Sequence, residues 1–90
     1  MAVASNGKKI KSWQNVLVRN KKTDCWELCT FLYKSGKKYA CIGYALVEEF
    51  VVYEEYYKEC IPYKGNKELY GTSESWKNDN SSLYLNKAFD

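Results

Sequence analysis

Apolar and polar positions alternate along the first half of this chain with the period of a strand. In residues 13–19, Val16 and Val18 share one face, and Leu17 and Arg19 share the other. A polar turn, Asn20-Lys21-Lys22-Thr23-Asp24, follows. Residues 25–33 are rich in aromatic and apolar residues and predict a second strand. One of its faces carries Trp26, Leu28, Thr30 and Leu32; the other carries Cys25, Glu27, Cys29, Phe31 and Tyr33. Both faces are largely apolar, so this strand should be central. Lys34-Ser35-Gly36-Lys37 has hairpin-turn chemistry, with glycine free to take positive φ. Residues 38–44 are the third strand.

Two periodicities fit residues 45–59. Leu46, Phe50, Tyr53 and Tyr57 fall on one helical stripe, yet Phe50-Val51-Val52-Tyr53 is a strong β run. We read a strand there, with a short helix within 45–57 as the alternative. Residues 56–63 form the next strand. It runs into Pro62, which removes a backbone donor, so the strand ends there or lies on a sheet edge. Lys64-Gly65-Asn66-Lys67 is a tight loop, Leu69 and Tyr70 are its apolar anchor, and Gly71 closes it. Residues 73–82 are polar around Trp76, and Leu83-Tyr84-Leu85 is a short closing strand or a docking tail. The pattern predicts a mainly β domain, either a small SH3-like barrel or a curved antiparallel sheet. It divides the chain into a basic N-terminal arm (1–12), a single β domain (13–72) and a C-terminal loop and tail (73–90).

Charge sharpens this division. Residues 1–38 hold nine cations against two acids, residues 39–60 one cation against five acids, and residues 61–90 are neutral, within a net +3. The basic half can attract phosphates, and the acidic segment can answer it in a second copy, so a homo-oligomer is expected with residues 45–57 at its interface. Aromatics also exceed what a 90-residue core absorbs, with three Trp, nine Tyr and three Phe. Some rings should therefore reach a surface or an interface. The first residues lack the apolar core of a signal peptide, and the longest apolar run, 39–47, falls far short of the roughly 20 residues of a membrane helix. A cytoplasmic protein with reduced, buried cysteines and no membrane partner is expected.

Catalysis is not expected. The chain has no histidine, so the usual general base near neutral pH is missing. Glu48-Glu49 and Glu54-Glu55 are adjacent pairs, and neither a strand nor a helix converges such neighbours on one substrate. No phosphate-cradling glycine motif occurs. The spacing of the four cysteines, Cys25, Cys29, Cys41 and Cys60, does not suit zinc. We expect no metal, no cofactor and no catalytic residue. For ligand binding the candidates are Arg19, Tyr63, Lys64, Asn66, Lys67 and Trp76. Arg19, the only arginine, can fork onto phosphate. Lys64, Asn66 and Lys67 sit on a loop suited to an anion. Tyr63 and Trp76 can stack a base. Each also has a plainer reading, as a turn or surface residue, and Trp26 is better placed as core.

Val16-Leu17-Val18-Arg19, Trp26, Phe31, Tyr39, Cys60-Ile61-Pro62-Tyr63, Gly65-Asn66 and Leu69-Tyr70-Gly71-Thr72 together resemble a group of short proteins of bacteriophage and gut-virome genomes. The resemblance spans residues 16–72. Residues 45–57 depart from it by their greater length. Members of that group are mostly uncharacterised, so the resemblance implies a phage-encoded protein of the host cytoplasm, and by analogy with other small phage proteins a role against bacterial immunity is expected. Such a protein could be an oligomeric sponge for a small, cyclic nucleotide signal of Thoeris or CBASS defence. An anti-CRISPR-like inhibitor docked on a host defence protein, or a small β-barrel on single-stranded nucleic acid, is the alternative.

Overall fold

The computed structural model describes residues 2–43 and 54–76. Seven strands occur among them: β1 (Ala2–Val3), β2 (Lys9–Ile10), β3 (Asn15–Arg19), β4 (Glu27–Ser35), β5 (Lys38–Gly43), β6 (Glu55–Tyr57) and β7 (Glu59–Pro62). A 3-10 turn spans Lys67–Leu69. β1 and β2 form a hairpin, and the other five make one antiparallel sheet in the order β6-β5-β4-β3-β7. The chain is thus mainly β, and β4 is the central strand that its two apolar faces require. The readings on residues 44–53 and 77–90, including the helix alternative and the closing strand, lie outside the described residues. What is described of 54–59 is extended, with no helix.

Lys58 alone separates β6 from β7, which lie on opposite edges of the sheet. One extended segment therefore crosses from edge to edge. Its kink is held by the Lys58 N–H donating to Asn20 Oδ1 at 3.1 Å. The sheet must curl for this to happen, yet among the described residues β6 and β7 do not pair. The architecture is the curved antiparallel sheet, not a closed barrel.

The alternation read in β3 separates two cores. Val16 and Val18 join Cys29, Phe31, Cys41 and Cys60 on one side. Leu17 joins Trp26, Ile61 and Leu69 on the other. The first twelve residues do not behave as an arm. The β1–β2 hairpin buries Ala4 and Ile10 in the first core. Its Ser5 N–H donates to the Cys60 carbonyl at 2.8 Å, and Ser5 Oγ accepts from the Cys60 N–H at 2.9 Å. Those two groups would otherwise be the open edge of β7, and an unpaired edge invites association. Pro62 ends the same edge strand, as a residue without a donor can.

Two local features depart from simple alternation. Gly36, at φ +60°, opens the two-residue turn between Ser35 and Lys38, where a side chain would be strained. At Leu32 a bulge breaks the register: Phe31 pairs with Cys41, but Tyr33 pairs with Ala40. Tyr33 is thereby turned off the Phe31 face. It lies in a row with Ala40 and Tyr56, its ring 6.4 Å from that of Tyr56. A strict period of two placed Tyr33 with Phe31; the extra residue overturns that.

Three cysteines are buried, but Cys25 is exposed, which corrects the expectation of four buried thiols. Burial pushes the Cys29 thiol up to about 11, against a hydrogen bond with Tyr57 that opposes the rise. The hydrogen bond to Cys41, together with burial, raises Cys60 further. Two outcomes are expected. A thiol reagent should label one site quickly in the folded protein and four after unfolding. For Cys29, the folded state holds its proton above pH 9, where the unfolded thiol ionises. Its contribution to stability is complete below pH 9 and is lost between pH 9 and 11, on the order of 1–3 kcal/mol. Urea midpoints across that range check this, with Cys29→Ala expected to shallow the pH dependence while the raised Cys60 thiol keeps the remainder.

Candidate functional site

Two groups of the predicted binding residues separate in the structure. The first is structural. Arg19 is 2% exposed. Its Nε donates to Glu59 Oε1 at 2.8 Å, and Nη1 donates to the carbonyls of Ser73 (2.7 Å) and Lys22 (3.2 Å). The guanidinium lies 4.0 Å from the centre of the Trp26 ring, while Nη2 has no hydrogen-bond partner among the described residues. The stack accounts for a nitrogen left without an acceptor, because a ring face attracts a desolvated cation. Arg19 therefore offers no free fork to a phosphate.

Trp76 belongs to the same assembly. Its ring stands 6.2 Å from Trp26, half-buried on the second core. Trp26, 1% exposed, donates its indole N–H to the Glu74 carbonyl at 2.7 Å. Its backbone takes both Gly71 and Thr72 as partners. So residues 70–76 are tacked onto β3 and β4 through one Trp and one Arg. Asn66 is also absorbed by the fold, since its side-chain amide donates to the Pro62 carbonyl at 2.9 Å. Its φ is −131°, and Gly65, at +86°, takes the left-handed position of the loop. These contacts engage Arg19, Asn66 and Trp76 within the fold, and none of the three lines the groove of Tyr63, Lys64 and Lys67.

The second group remains together. Tyr63, Lys64 and Lys67 form one wall of an open groove of about 760 Å³. The opposite wall is the turn 11–15, which carries Lys11 and Trp13. The walls are joined where the Tyr63 N–H donates to the Asn15 carbonyl at 3.1 Å. Lys67 Nζ stands 5.8 Å from the Tyr63 ring centre. Among the described residues no carboxylate lines the groove.

Trp13 is the residue that sequence reasoning missed. It was placed as the first residue of a strand, but it is 72% exposed and has φ +72°. It is the only non-glycine residue with positive φ among those described. That conformation strains a bulky side chain by roughly 1–3 kcal/mol and persists only where neighbours enforce it. Here they do. The Trp13 N–H donates to the Phe31 carbonyl at 2.6 Å, and the Phe31 N–H donates to the Gln14 carbonyl at 2.9 Å. Ser12 Oγ donates to the Leu32 carbonyl at the bulge (2.6 Å), and Gln14 Oε1 accepts from the Lys11 N–H (3.0 Å). The backbone that carries this exposed ring is thus fixed at the cost of strain. The available signal was its setting, an aromatic between Lys11-Ser12 and Gln14-Asn15 in a chain with rings to spare.

An exposed aromatic and three cations, with no acid among the described lining residues, make a surface suited to a planar, phosphate-bearing ligand. Removing the strain should dissociate stability from binding. Trp13→Gly is expected to raise stability by about 0.5–1 kcal/mol, the released strain less the entropy cost of glycine. A urea midpoint that falls instead would show that Trp13 contributes to the fold.

Among the described residues no group of three or more Cys, Asp or Glu is placed to hold a metal ion, and no helix is long and apolar enough to cross a membrane. No family model, no curated protein and no solved structure matches the chain. The groove is therefore read from its own geometry.

Proposed function

We propose that this chain is a non-enzymatic nucleotide-binding protein, with its ligand in the groove between the 11–15 turn and the 63–67 loop. The observation that carries this reading is Trp13, an exposed ring on backbone held at φ +72°, in one groove with Lys11, Lys64 and Lys67. Stacking on Trp13 and Tyr63 would hold a base, and the lysines would hold phosphate. Lysine acts here as a mobile point charge, which suits a phosphate without fixing its orientation.

The biological setting we propose is counter-defence in a phage-infected cell, in line with the resemblance in residues 16–72. In its sponge form the ligand is a small, cyclic nucleotide immune signal. That form calls for a homo-oligomer, because the groove is open and a small ligand needs a second copy to cover it. Light scattering should then show at least a dimer, whereas a 10.5 kDa species would remove the sponge form. Docking on a host defence protein is the reading left if no nucleotide binds.

Calorimetry with cyclic dinucleotides, cyclic ADP-ribose isomers and short oligonucleotides tests the proposal. Binding of any of them, weakened by Trp13→Ala and unchanged by Lys37→Ala on the remote β4–β5 turn, is expected. Silence from the whole panel would reject it.

A further inference from the structure

A second, smaller groove of about 220 Å³ begins where the first one ends. Both are lined by Ser12. The second continues past the Leu32 bulge to Tyr33 and Lys34. The two together form a track that no single nucleotide would fill. Along it an aromatic and a lysine recur in two places, Tyr63 with Lys64 and Lys67, and Trp13 with Lys11. The second groove adds Tyr33 and, from the opposite face of β4, Lys34, whose ammonium lies 5.2 Å from the Tyr39 ring centre. Among the described residues neither groove has a carboxylate in its lining. At the far end stands Glu54, whose Oε2 accepts from the Tyr33 hydroxyl at 2.9 Å. It would repel a further phosphate, and so it marks where the track stops.

From this juxtaposition we infer that the ligand is a single-stranded nucleic acid, lying from the 63–67 loop across Trp13 and Ser12 to Tyr33 and Lys34. The inference rests on the nucleotide reading of the groove and narrows it to a strand. Three features favour a strand over an enclosed signal molecule. The groove is open along its length. Its most prominent ring projects into solvent, where a stacked base of a strand can reach it without closure. Its cations are divided between two grooves, Lys11, Lys64 and Lys67 in the first and Lys34 in the second, where an enclosed phosphate would need them together. Stacking on exposed rings with lysines following the backbone is how strands are held with little sequence preference. Duplex is disfavoured, because paired bases offer no free face to Trp13.

The salt dependence is set by the number of lysines engaged. Each phosphate neutralised in a single strand contributes about −0.7 to the slope of log K against log salt. Lys11, Lys64 and Lys67 give a slope of about −2, and Lys34 takes it to about −3.

The test uses the full chain and fluorescein-labelled dT15 and rU15, with inorganic polyphosphate of similar charge and cyclic di-AMP as the other arms. Binding of dT15 or rU15 with a slope between −2 and −3 is expected, and polyphosphate should bind at least about tenfold more weakly. Trp13→Ala should weaken strand binding by about tenfold or more, the scale of one lost stacked base. Trp13→Phe should recover most of it, which separates loss of the ring from a rearranged turn. Lys34→Ala should lower the slope magnitude by about 0.7 without disturbing the first groove. Cyclic di-AMP bound through Trp13 while both oligomers stay silent would overturn the strand inference and leave the nucleotide site standing. Polyphosphate equal to dT15, or indifference to Trp13→Ala, would overturn it too. Silence in every arm would remove both.

Discussion

Replacing Trp26 by alanine is expected to cost about 3–5 kcal/mol, the scale of a large aromatic lost from a packed core. The whole stability of a 90-residue domain is roughly 5–13 kcal/mol, so this variant should sit at the edge of folding. Three losses coincide at that position. The second core loses its largest side chain. The Glu74 carbonyl loses its indole donor. Arg19 loses the ring beneath its guanidinium and stays buried. Thermal unfolding should fall by about 15–30 °C, at the several degrees per kcal/mol of a domain this size. Trp26→Phe keeps a ring and gives up the donor, and should cost about 1–2 kcal/mol. A Trp26→Ala variant within about 1 kcal/mol of the parent would mean that residues 70–76 are not docked as described.

The second large effect is an asymmetry between Glu59 and Arg19. Glu59→Ala should destabilise by about 3 kcal/mol, because it leaves a fully buried guanidinium without its counter-charge. Arginine cannot shed its proton to escape that cost. Arg19→Met should cost less, about 1–2 kcal/mol, because it removes the buried charge and keeps the stem. The Glu59 side chain is 17% exposed and has Lys22 at 3.8 Å, so it can survive alone. Denaturant midpoints of the two variants give the comparison. Equal costs, or a larger one for Arg19→Met, would contradict the assignment. Neither change should move nucleotide affinity by more than about twofold, since the pair lies outside the groove. A large loss of binding in Arg19→Met would restore the sequence-based role of Arg19 as a phosphate ligand.

The sheet was legible because its signals are local. Val16 and Val18 against Leu17 state a strand buried on two sides, and the structure separates them into two cores. Pro62 and Gly65 mark an edge and a turn by their own backbone limits. The curl of the sheet was not legible. It depends on Lys58 joining opposite edges, a long-range fact with no local pattern. The bulge at Leu32 was hidden for the same reason, since it is enforced by Ser12 from twenty residues away.

The candidate site divides along similar lines. Tyr63, Lys64 and Lys67 stayed together because one loop carries them. Arg19 and Trp76 had the right chemistry for a nucleotide, and the fold spends that same chemistry on an ion pair and a ring stack. Residue type cannot tell a buried cation–aromatic contact from an exposed one. Trp13 escaped because its conformation is set by partners at Phe31 and Leu32, across the sheet.

Chemical-shift mapping on isotopically labelled protein, titrated with dT15 and separately with cyclic di-AMP, tests the central claim most directly. The nucleotide site predicts that the Trp13 indole N–H and the amides of residues 11–15 and 63–67 shift first and furthest. The indole N–H of Trp26 should hold still, because it stays bonded to the Glu74 carbonyl. Shifts centred on residues 19, 26 and 76 instead, or no shift with either ligand, would contradict it.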